Sequence, residues 1–127
     1  MDTSSGRTGE DFACALLQKR GAVVIARNYH SRWGEVDIIA RQDRYLLFVE
    51  VKTRSARSAS VPQAAVTAGK QKKILRTAIQ FMTGHPSELQ PRFDVIALTT
   101  DPYSGQVIRY QYIENAFGAG GGGYAPF

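Results

Sequence analysis

The alternation of apolar and polar positions predicts a helix followed by a strand at the start of the chain. Apolar side chains recur at the spacing of one helical face within residues 5–20: Phe12, Ala13, Leu16 and Leu17. Gly21 is a helix stop signal, and the β-branched run 23–25 predicts a strand that ends near Asn28. We expect the polar residues that follow Asn28 to form a loop.

Two further strands, at residues 34–42 and 44–54, are predicted on either side of a short turn. In the first of them, side chains alternate between two faces: Glu35, Asp37 and Ile39 on one, Val36, Ile38 and Ala40 on the other. In the second, one face holds Leu46, Phe48, Glu50 and Lys52, and the other holds Leu47, Val49 and Val51. Because both faces are apolar until Glu50, this pattern is typical of a central strand that is covered on both sides.

A basic helix and two more strands are predicted in the second half of the chain. The small polar segment 55–62 predicts a mobile loop, after which Thr67 can cap a helix over 68–83. Its apolar stripe consists of Ile74, Leu75, Ala78, Ile79 and Met82, and its first half carries Lys70, Lys72, Lys73 and Arg76. Strands are predicted at 91–99 and 106–113. The glycine-rich segment 118–127 has too few side chains to pack, so we expect a flexible tail there.

This order of elements predicts a single α/β domain over residues 1–117, with a central mixed sheet of about five strands flanked by helices. A length of 127 residues permits one domain of this kind. With 43% hydrophobic and 21% charged residues, the composition excludes a wholly disordered chain. The single cysteine, Cys14, excludes a scaffold of intramolecular disulfides and lies within the apolar face of the first helix, so we expect it in the core.

The sequence does not predict an exported protein or a membrane protein. Its apolar runs are far shorter than the roughly 20 residues needed to cross a bilayer. Its polar N-terminal residues lack the apolar core of a secretory signal. We therefore expect a cytoplasmic protein with no membrane partner.

Positive charge is concentrated in the middle of the chain. The formal net charge is +5, yet residues 41–76 hold nine Lys or Arg against two Asp or Glu. Clustered positive charge favours binding to the phosphates of nucleic acid, and a solvated surface that keeps the protein in solution is the alternative. The candidate contacts to nucleic acid lie at or just beyond the end of the third strand and at the start of the second helix: Arg54, Arg57, Lys70, Gln71, Lys72 and Lys73.

Residues 34–39 and 48–54 carry the candidate catalytic chemistry. Carboxylates and a lysine on otherwise apolar strands are costly to bury unless they are paired or bind a metal. Pairing of the two strands can place Asp37 beside Glu50, and a divalent cation such as Mg²⁺ would relieve their repulsion. Lys52 projects towards the same place, where it can orient or deprotonate an attacking water or neutralise charge on a phosphate. The set predicts metal-assisted phosphodiester hydrolysis, and a structural salt bridge from Lys52 to either carboxylate is the alternative.

These motifs resemble a known family. The order of Glu10 in the first helix, G-E-V-D-I-I-A at 34–40 and F-V-E-V-K-T-R at 48–54 is similar to that of the YraN family of small bacterial proteins. Members of that family are predicted endonucleases of the restriction-endonuclease-like superfamily. The resemblance covers about residues 6–117. It extends, more distantly, to the archaeal Holliday junction resolvases, which carry the same PD-(D/E)xK type of active site.

The resemblance implies a role for each charged member of the motif. Asp37 and Glu50 would be metal ligands, with the backbone carbonyl of Val51 as a further ligand. Lys52 would be the catalytic lysine, and Glu10 would complete the site through the metal or its water. The implied cofactor is Mg²⁺ or Mn²⁺, and the implied fold is that of the restriction endonucleases. If the resemblance extends to resolvases, a two-fold homodimer is expected, because a resolvase cuts two symmetric strands.

We therefore expect a metal-dependent endonuclease that acts on DNA, with branched or structured DNA in repair or recombination as its substrate. The alternative is a non-catalytic nucleic-acid-binding protein that retains a vestigial metal site. RNA stays open as a substrate, because a basic surface recognises only phosphates. Three aromatic residues could stack on unpaired bases, with packing in the core or at a sheet edge as the alternative: Tyr29, Trp33 and Tyr45.

Overall fold

Among the residues that the structure describes, two α-helices and five strands follow one another in the order that the sequence pattern predicts. The computed structural model describes residues 5–58 and 66–118. The helices are α1 (Ser5–Lys19) and α2 (Ala68–Gly84), and the strands are β1 (Val23–Ser31), β2 (Gly34–Gln42), β3 (Tyr45–Ser55), β4 (Gln90–Thr100) and β5 (Val107–Phe117). A short 3₁₀ helix, Ala56–Ser58, follows β3.

The strands form one mixed sheet in the order β1-β2-β3-β4-β5. Three neighbouring pairs are antiparallel, and β3 and β4 are parallel. A parallel pair needs a crossover connection, and α2 lies within it. β3 is the central strand: it pairs with β2 over its first half and with β4 from Tyr45 to Ser55.

The two α-helices cover opposite faces of the sheet, and the described residues form one apolar core under each of them. The core under α1 contains Ala13, Cys14, Leu16 and Leu17 from the helix and Ile38, Ala40, Leu47, Val49, Ile96 and Leu98 from the sheet. The core under α2 contains Ile74, Ala78 and Phe81 from the helix and Val36, Ile39, Leu46, Phe48, Phe93, Val95 and Phe117 from the sheet. The predicted single α/β domain is confirmed, and so is the division of β3 into two apolar faces.

β1 is longer than the sequence predicts. It continues to Ser31 instead of ending near Asn28, and Arg32 and Trp33 form the turn into β2. Asn28 has a φ of 52°, a conformation that asparagine tolerates better than most residues. The predicted loop was therefore wrong, because pairing with β2 keeps this polar segment in the sheet down to Ser31 and Gly34.

The outer face of α2 also differs from the prediction. Ile79, which the sequence places on the buried stripe, is 59% exposed. The apolar positions of α2 spread over more of its circumference than the sheet covers, and Ile74, Ala78 and Phe81 occupy the covered part.

The predicted loop 55–62 begins later than expected, because β3 includes Ser55 and the 3₁₀ helix follows it. The rest of that loop, 59–62, and residues 119–127 of the predicted tail lie outside the described residues. Within the described part of the chain, neither helix is long and apolar enough to cross a membrane.

Candidate active site

β2 separates from β3 beside the candidate site. Backbone pairing between the two strands ends at Ile38 and Val49, whereas β3 continues to pair with β4 as far as Ser55. Asp37 and Glu50 are the first residues beyond the last pair. Asp37 Oδ2 accepts a hydrogen bond of 2.8 Å from the backbone N–H of Val51. This side-chain bond joins the two strands beyond the point where their backbone pairing ends.

The separation also explains a departure from the predicted alternation in β2. The sequence places Val36 on the same face as Ile38, but Val36 packs in the core under α2 and Ile38 in the core under α1. The alternation therefore breaks at Asp37, where β2 leaves β3. Asp37 lies at a point where the sheet opens and a polar group can reach both strands.

The two carboxylates are buried and repel each other. Asp37 is 9% exposed and Glu50 is 8% exposed. Burial, and then the charge of Glu50, raise the pKa of Asp37 to about 7, with smaller contributions from Glu10 and Glu35, while the Val51 hydrogen bond opposes them. Burial also raises the pKa of Glu50, against the influence of Lys70 and Lys52. The nearby lysines therefore neutralise the negative charge of the two carboxylates only in part.

One side-chain oxygen of Glu50 is buried without a hydrogen bond from residues 5–58 or 66–118. Among the described residues, Glu50 Oε1 is a buried side-chain oxygen without a hydrogen-bond partner. Native proteins satisfy the large majority of buried polar atoms, so such an atom calls for an explanation. Two neighbouring carboxylates with an unsatisfied oxygen are a donor set that suits Mg²⁺ or Mn²⁺, because hard cations prefer oxygen ligands and Mg²⁺ retains several waters. The residues present therefore fit the implied cation.

Two lysines lie beside Glu50. Lys52, two residues along the same strand, lowers the pKa of Glu50 by its charge. Lys70 Nζ is 3.4 Å from Glu50 Oε2, and its own backbone N–H is bonded to the capping Thr67 Oγ1 at 3.2 Å. The sequence assigns Lys70 to nucleic-acid contact, whereas the structure places it against the carboxylate. No local signal predicts this contact, because it depends on how α2 crosses the sheet.

Glu10 approaches the site from α1 but is held by β1. Its Oε1 accepts a hydrogen bond of 3.1 Å from Asn28 Nδ2 and lies 3.7 Å from an Arg27 nitrogen. The described residues contain no group of three or more Asp, Glu, His or Cys side chains that could hold a metal ion. The structure therefore brings Asp37 and Glu50 together, and the ligand role of Glu10 stays a prediction.

Glu35 stands at the edge of the same region. Its Oε1 is 3.3 Å from His30 Nδ1 at the start of the β1–β2 turn. It is partly exposed, and its charge contributes to the raised pKa values of both Asp37 and Glu50. Glu35 thus adds to the negative potential around the site without joining it.

The predicted nucleic-acid contacts occupy several places. Lys72 and Lys73 are exposed on α2. Gln71 instead bonds back to the Val66 carbonyl at 2.8 Å, and Arg57 donates a bond of 2.8 Å to the Tyr103 hydroxyl near the β4–β5 turn. Arg54 is partly buried on β3. Of these residues, the exposed lysines therefore lie on α2, the helix whose Lys70 contacts Glu50.

Comparison with known proteins finds one family. The model of the uncharacterised protein family UPF0102 matches residues 9–98, a range that includes most of α1, the two carboxylates and all of α2. A UPF0102 protein of Chlorobium phaeobacteroides is 44% identical over 116 residues, which cover 88% of this chain and 92% of that protein. UPF0102 proteins of Syntrophotalea carbinolica and Geobacter sulfurreducens are 49% and 44% identical, over 75% and 88% of this chain and 78% and 87% of those proteins.

Proposed function

The chain belongs to the UPF0102 family, which confirms its resemblance to the YraN proteins, and from the site that it carries we propose that it is a metal-dependent nuclease. It hydrolyses phosphodiester bonds, and its substrate is DNA of branched or otherwise structured form. The observation that carries the proposal is the buried pair of Asp37 and Glu50, with one oxygen of Glu50 unsatisfied, at the point where β2 leaves β3.

The two carboxylates would hold the cation. Asp37 and Glu50 supply oxygens from adjacent strands, and the Val51 carbonyl follows Glu50 directly in β3 as a further oxygen of the kind that Mg²⁺ accepts. Bound Mg²⁺ or Mn²⁺ would polarise the phosphoryl group and lower the pKa of a water ligand. The Val51 N–H bond fixes the Asp37 carboxylate, so this ligand is oriented before a cation arrives.

The lysines act on the reacting groups. Lys52 lies on the same strand face as Glu50, where its ammonium group can orient the attacking water or stabilise charge that develops on the phosphate. Lys70, in the first turn of α2, places a second positive charge beside Glu50. The exposed Lys72 and Lys73 continue it along the helix, and a phosphate backbone can follow this surface.

Cleavage of defined substrates tests the proposal. The wild type is incubated with Mg²⁺ or Mn²⁺ and labelled linear duplex, flap, single-stranded and four-way-junction DNA, together with an RNA of matched length. Glu50→Gln and Lys52→Ala should reduce cleavage at least about 100-fold, since each removes a group that acts in the transition state. Glu88→Gln is the matched control for Glu50→Gln, because Glu88 is an exposed glutamate in the α2–β4 connection.

The outcomes are distinct. Cleavage that requires the cation, is lost in both site variants and is kept in Glu88→Gln supports the nuclease. Cleavage that survives in Glu50→Gln and Lys52→Ala would come from a contaminant and contradict the proposal.

Two observations favour the binding-only alternative. The Lys70 ammonium already pairs with Glu50, and the described residues contain no group of three Asp, Glu, His or Cys side chains that could hold a metal ion. In that case Lys70 would be a permanent partner of the carboxylate. Salt-sensitive DNA binding without cleavage of any substrate would select this alternative.

A further inference from the structure

A groove lies between the β1–β2 turn and the outer face of α2. It is open to solvent and has a volume of about 780 Å³. Tyr29 and Trp33 line it on the strand side, and Arg76, Ile79, Gln80 and Thr83 line it on the helix side. This volume lies within the range of sites that bury small organic ligands.

The aromatic wall of the groove is fixed by the fold. The Ser31 and Thr77 hydroxyls are 2.6 Å apart, which joins the end of β1 to α2. The Trp33 backbone N–H donates to Ser31 Oγ at 3.1 Å and so holds the turn. Tyr29 contacts Phe81 edge to face, with ring centroids 5.1 Å apart. The groove is therefore present before any ligand binds.

Its chemistry combines apolar and cationic groups. Ile79 is 59% exposed within it, a large apolar side chain that the sheet leaves uncovered. The Arg32 guanidinium lies 5.2 Å from the centre of the Trp33 ring, and Arg76 lines the helix side. None of the lining residues named above is acidic. Aromatic rings beside basic side chains are the combination with which proteins bind single-stranded nucleic acid, because bases stack on the rings and phosphates pair with the cations.

The groove lies on the same helix as the lysine that contacts Glu50. Lys70 contacts Glu50 at the start of α2, and Lys72, Lys73 and Arg76 follow on the same helix. The helix rises about 14 Å from Lys70 to Ile79, a span of about four stacked nucleotides. A nucleic-acid strand that follows these charges from the carboxylates reaches the aromatic wall.

We propose that this groove binds an unpaired base of the nucleic acid that is cut at the carboxylate site. The base lies against the aromatic wall and Ile79, and Arg76 contacts a phosphate of the same strand. The inference rests on the proposed nuclease function and narrows its substrate class. The preferred substrate then carries a single-stranded segment of several nucleotides next to the scissile bond, as a flap or an opened junction does.

The single tryptophan of the chain makes the groove directly observable. Trp33 fluorescence and oligonucleotide anisotropy are measured with the full chain in EDTA, so that no cleavage occurs. The probes are a thymidine 12-mer, a 12-mer of abasic sites with the same charge, and a blunt duplex. We expect the thymidine strand to quench Trp33 and to bind about 5- to 150-fold more tightly than the abasic strand, the range for one stacked base.

A matched pair of variants locates the effect. Ile79 and Ile108 are both exposed isoleucines, at 59% and 50%, and Ile108 lies on β5 at the far edge of the sheet. Ile79→Glu should bring the ratio of thymidine to abasic affinity close to one, whereas Ile108→Glu, which changes the charge equally, should leave it unchanged. Unfolding midpoints near that of the wild type would show that both variants fold.

Several results would overturn the groove proposal. Equal quenching and affinity for thymidine and abasic strands, or equal effects of the two variants, would show that only phosphates are bound. Conversion of a dimer to a monomer by Ile79→Glu would assign the groove to a second copy of the chain. Either failure leaves cleavage in the panel above intact. Base-dependent quenching with no cleavage of any substrate would instead refute the nuclease and retain the groove.

Discussion

Replacing Asp37 with asparagine should make the metal-free protein more stable at pH 8. Burial and the charge of Glu50 raise the pKa of Asp37 from its ordinary 3.8 to about 7. Between these two pH values the folded protein holds a proton that the unfolded chain has released. The stability that this group contributes is therefore fully present below about pH 4 and is lost as the pH rises through 7.

The magnitude follows from the same two values. Their difference corresponds to at most about 4 kcal/mol, and because Asp37 and Glu50 titrate together we expect about 2–4 kcal/mol. Asparagine has nearly the same shape and can still accept the Val51 N–H bond, but it carries no charge. At pH 8 without metal, Asp37→Asn should raise the unfolding midpoint by about 5–15 °C, and near pH 4 it should change the midpoint little.

A second buried aspartate provides the control. Asp94 on β4 is fully buried, and it accepts two bonds from Arg92, one from the Tyr112 hydroxyl and one from the Asn115 backbone N–H. Asp94→Asn removes the buried carboxylate that pairs with Arg92 at 2.8 Å and leaves only the longer contact of 3.9 Å with the exposed Glu114, so it should destabilise the protein by about 3 kcal/mol or more. The same substitution thus has opposite signs at the two positions.

The assay is thermal or urea unfolding of both variants in EDTA at pH 4 to 8, repeated at pH 8 with Mg²⁺. Added Mg²⁺ should stabilise the wild type and leave Asp37→Asn nearly unchanged, because a ligand stabilises only the state that binds it. If Asp37→Asn is less stable than the wild type at pH 8 in EDTA, the two carboxylates do not repel each other and the reasoning is refuted.

Three further predictions concern packing, capping and charge. A Cβ on Gly9 would lie 2.6 Å from Thr53 Oγ1, so Gly9→Ala should lower the free energy of unfolding by about 1–3 kcal/mol. Gly69→Ala, in α2, meets nothing within 4 Å of the new Cβ and should raise the free energy of unfolding by about 0.5–1 kcal/mol. Equal effects of the two substitutions in urea unfolding would contradict the packing at Gly9. Thr67→Ala removes the cap of α2 and should cost about 1 kcal/mol, and a change below about 0.3 kcal/mol would show that the cap contributes little. Lys72→Ala should reduce the slope of log affinity against log salt for DNA by about one, without changing cleavage per bound complex, and an unchanged slope would remove Lys72 from the DNA contact.

Much of the fold could be predicted from the sequence because its strongest patterns are local. The alternation along β3 identifies both apolar faces, and Thr67 marks the start of α2. The errors occur where long-range contacts override local signals. Asn28 and its neighbours have the composition of a loop, yet the hydrogen bonds of β2 hold them in the sheet.

The candidate site could be predicted only in part. Asp37 and Glu50 are identifiable because charged residues interrupt apolar strands, and the short turn between the strands limits how they can pair. The contact between Lys70 and Glu50 depends on the crossing of α2 over the sheet, which no local pattern specifies. The groove beside Trp33 and Ile79 could not be predicted either, because it also depends on where α2 lies on the sheet. Helical periodicity alone places Ile79 in the core, whereas the structure leaves it exposed.

The order of strands in the sheet has a consequence for how the chain folds. β1, β2 and β3 are neighbours in the sequence as well as in the sheet, and so are β4 and β5, so each group can form around short turns. Only the parallel pairing of β3 with β4 requires residues 56–89 to close into a loop. The entropy of that closure is lost before the contacts between the two groups are gained. We therefore expect the joining of β3 to β4, with α2 in place between them, to determine the folding rate.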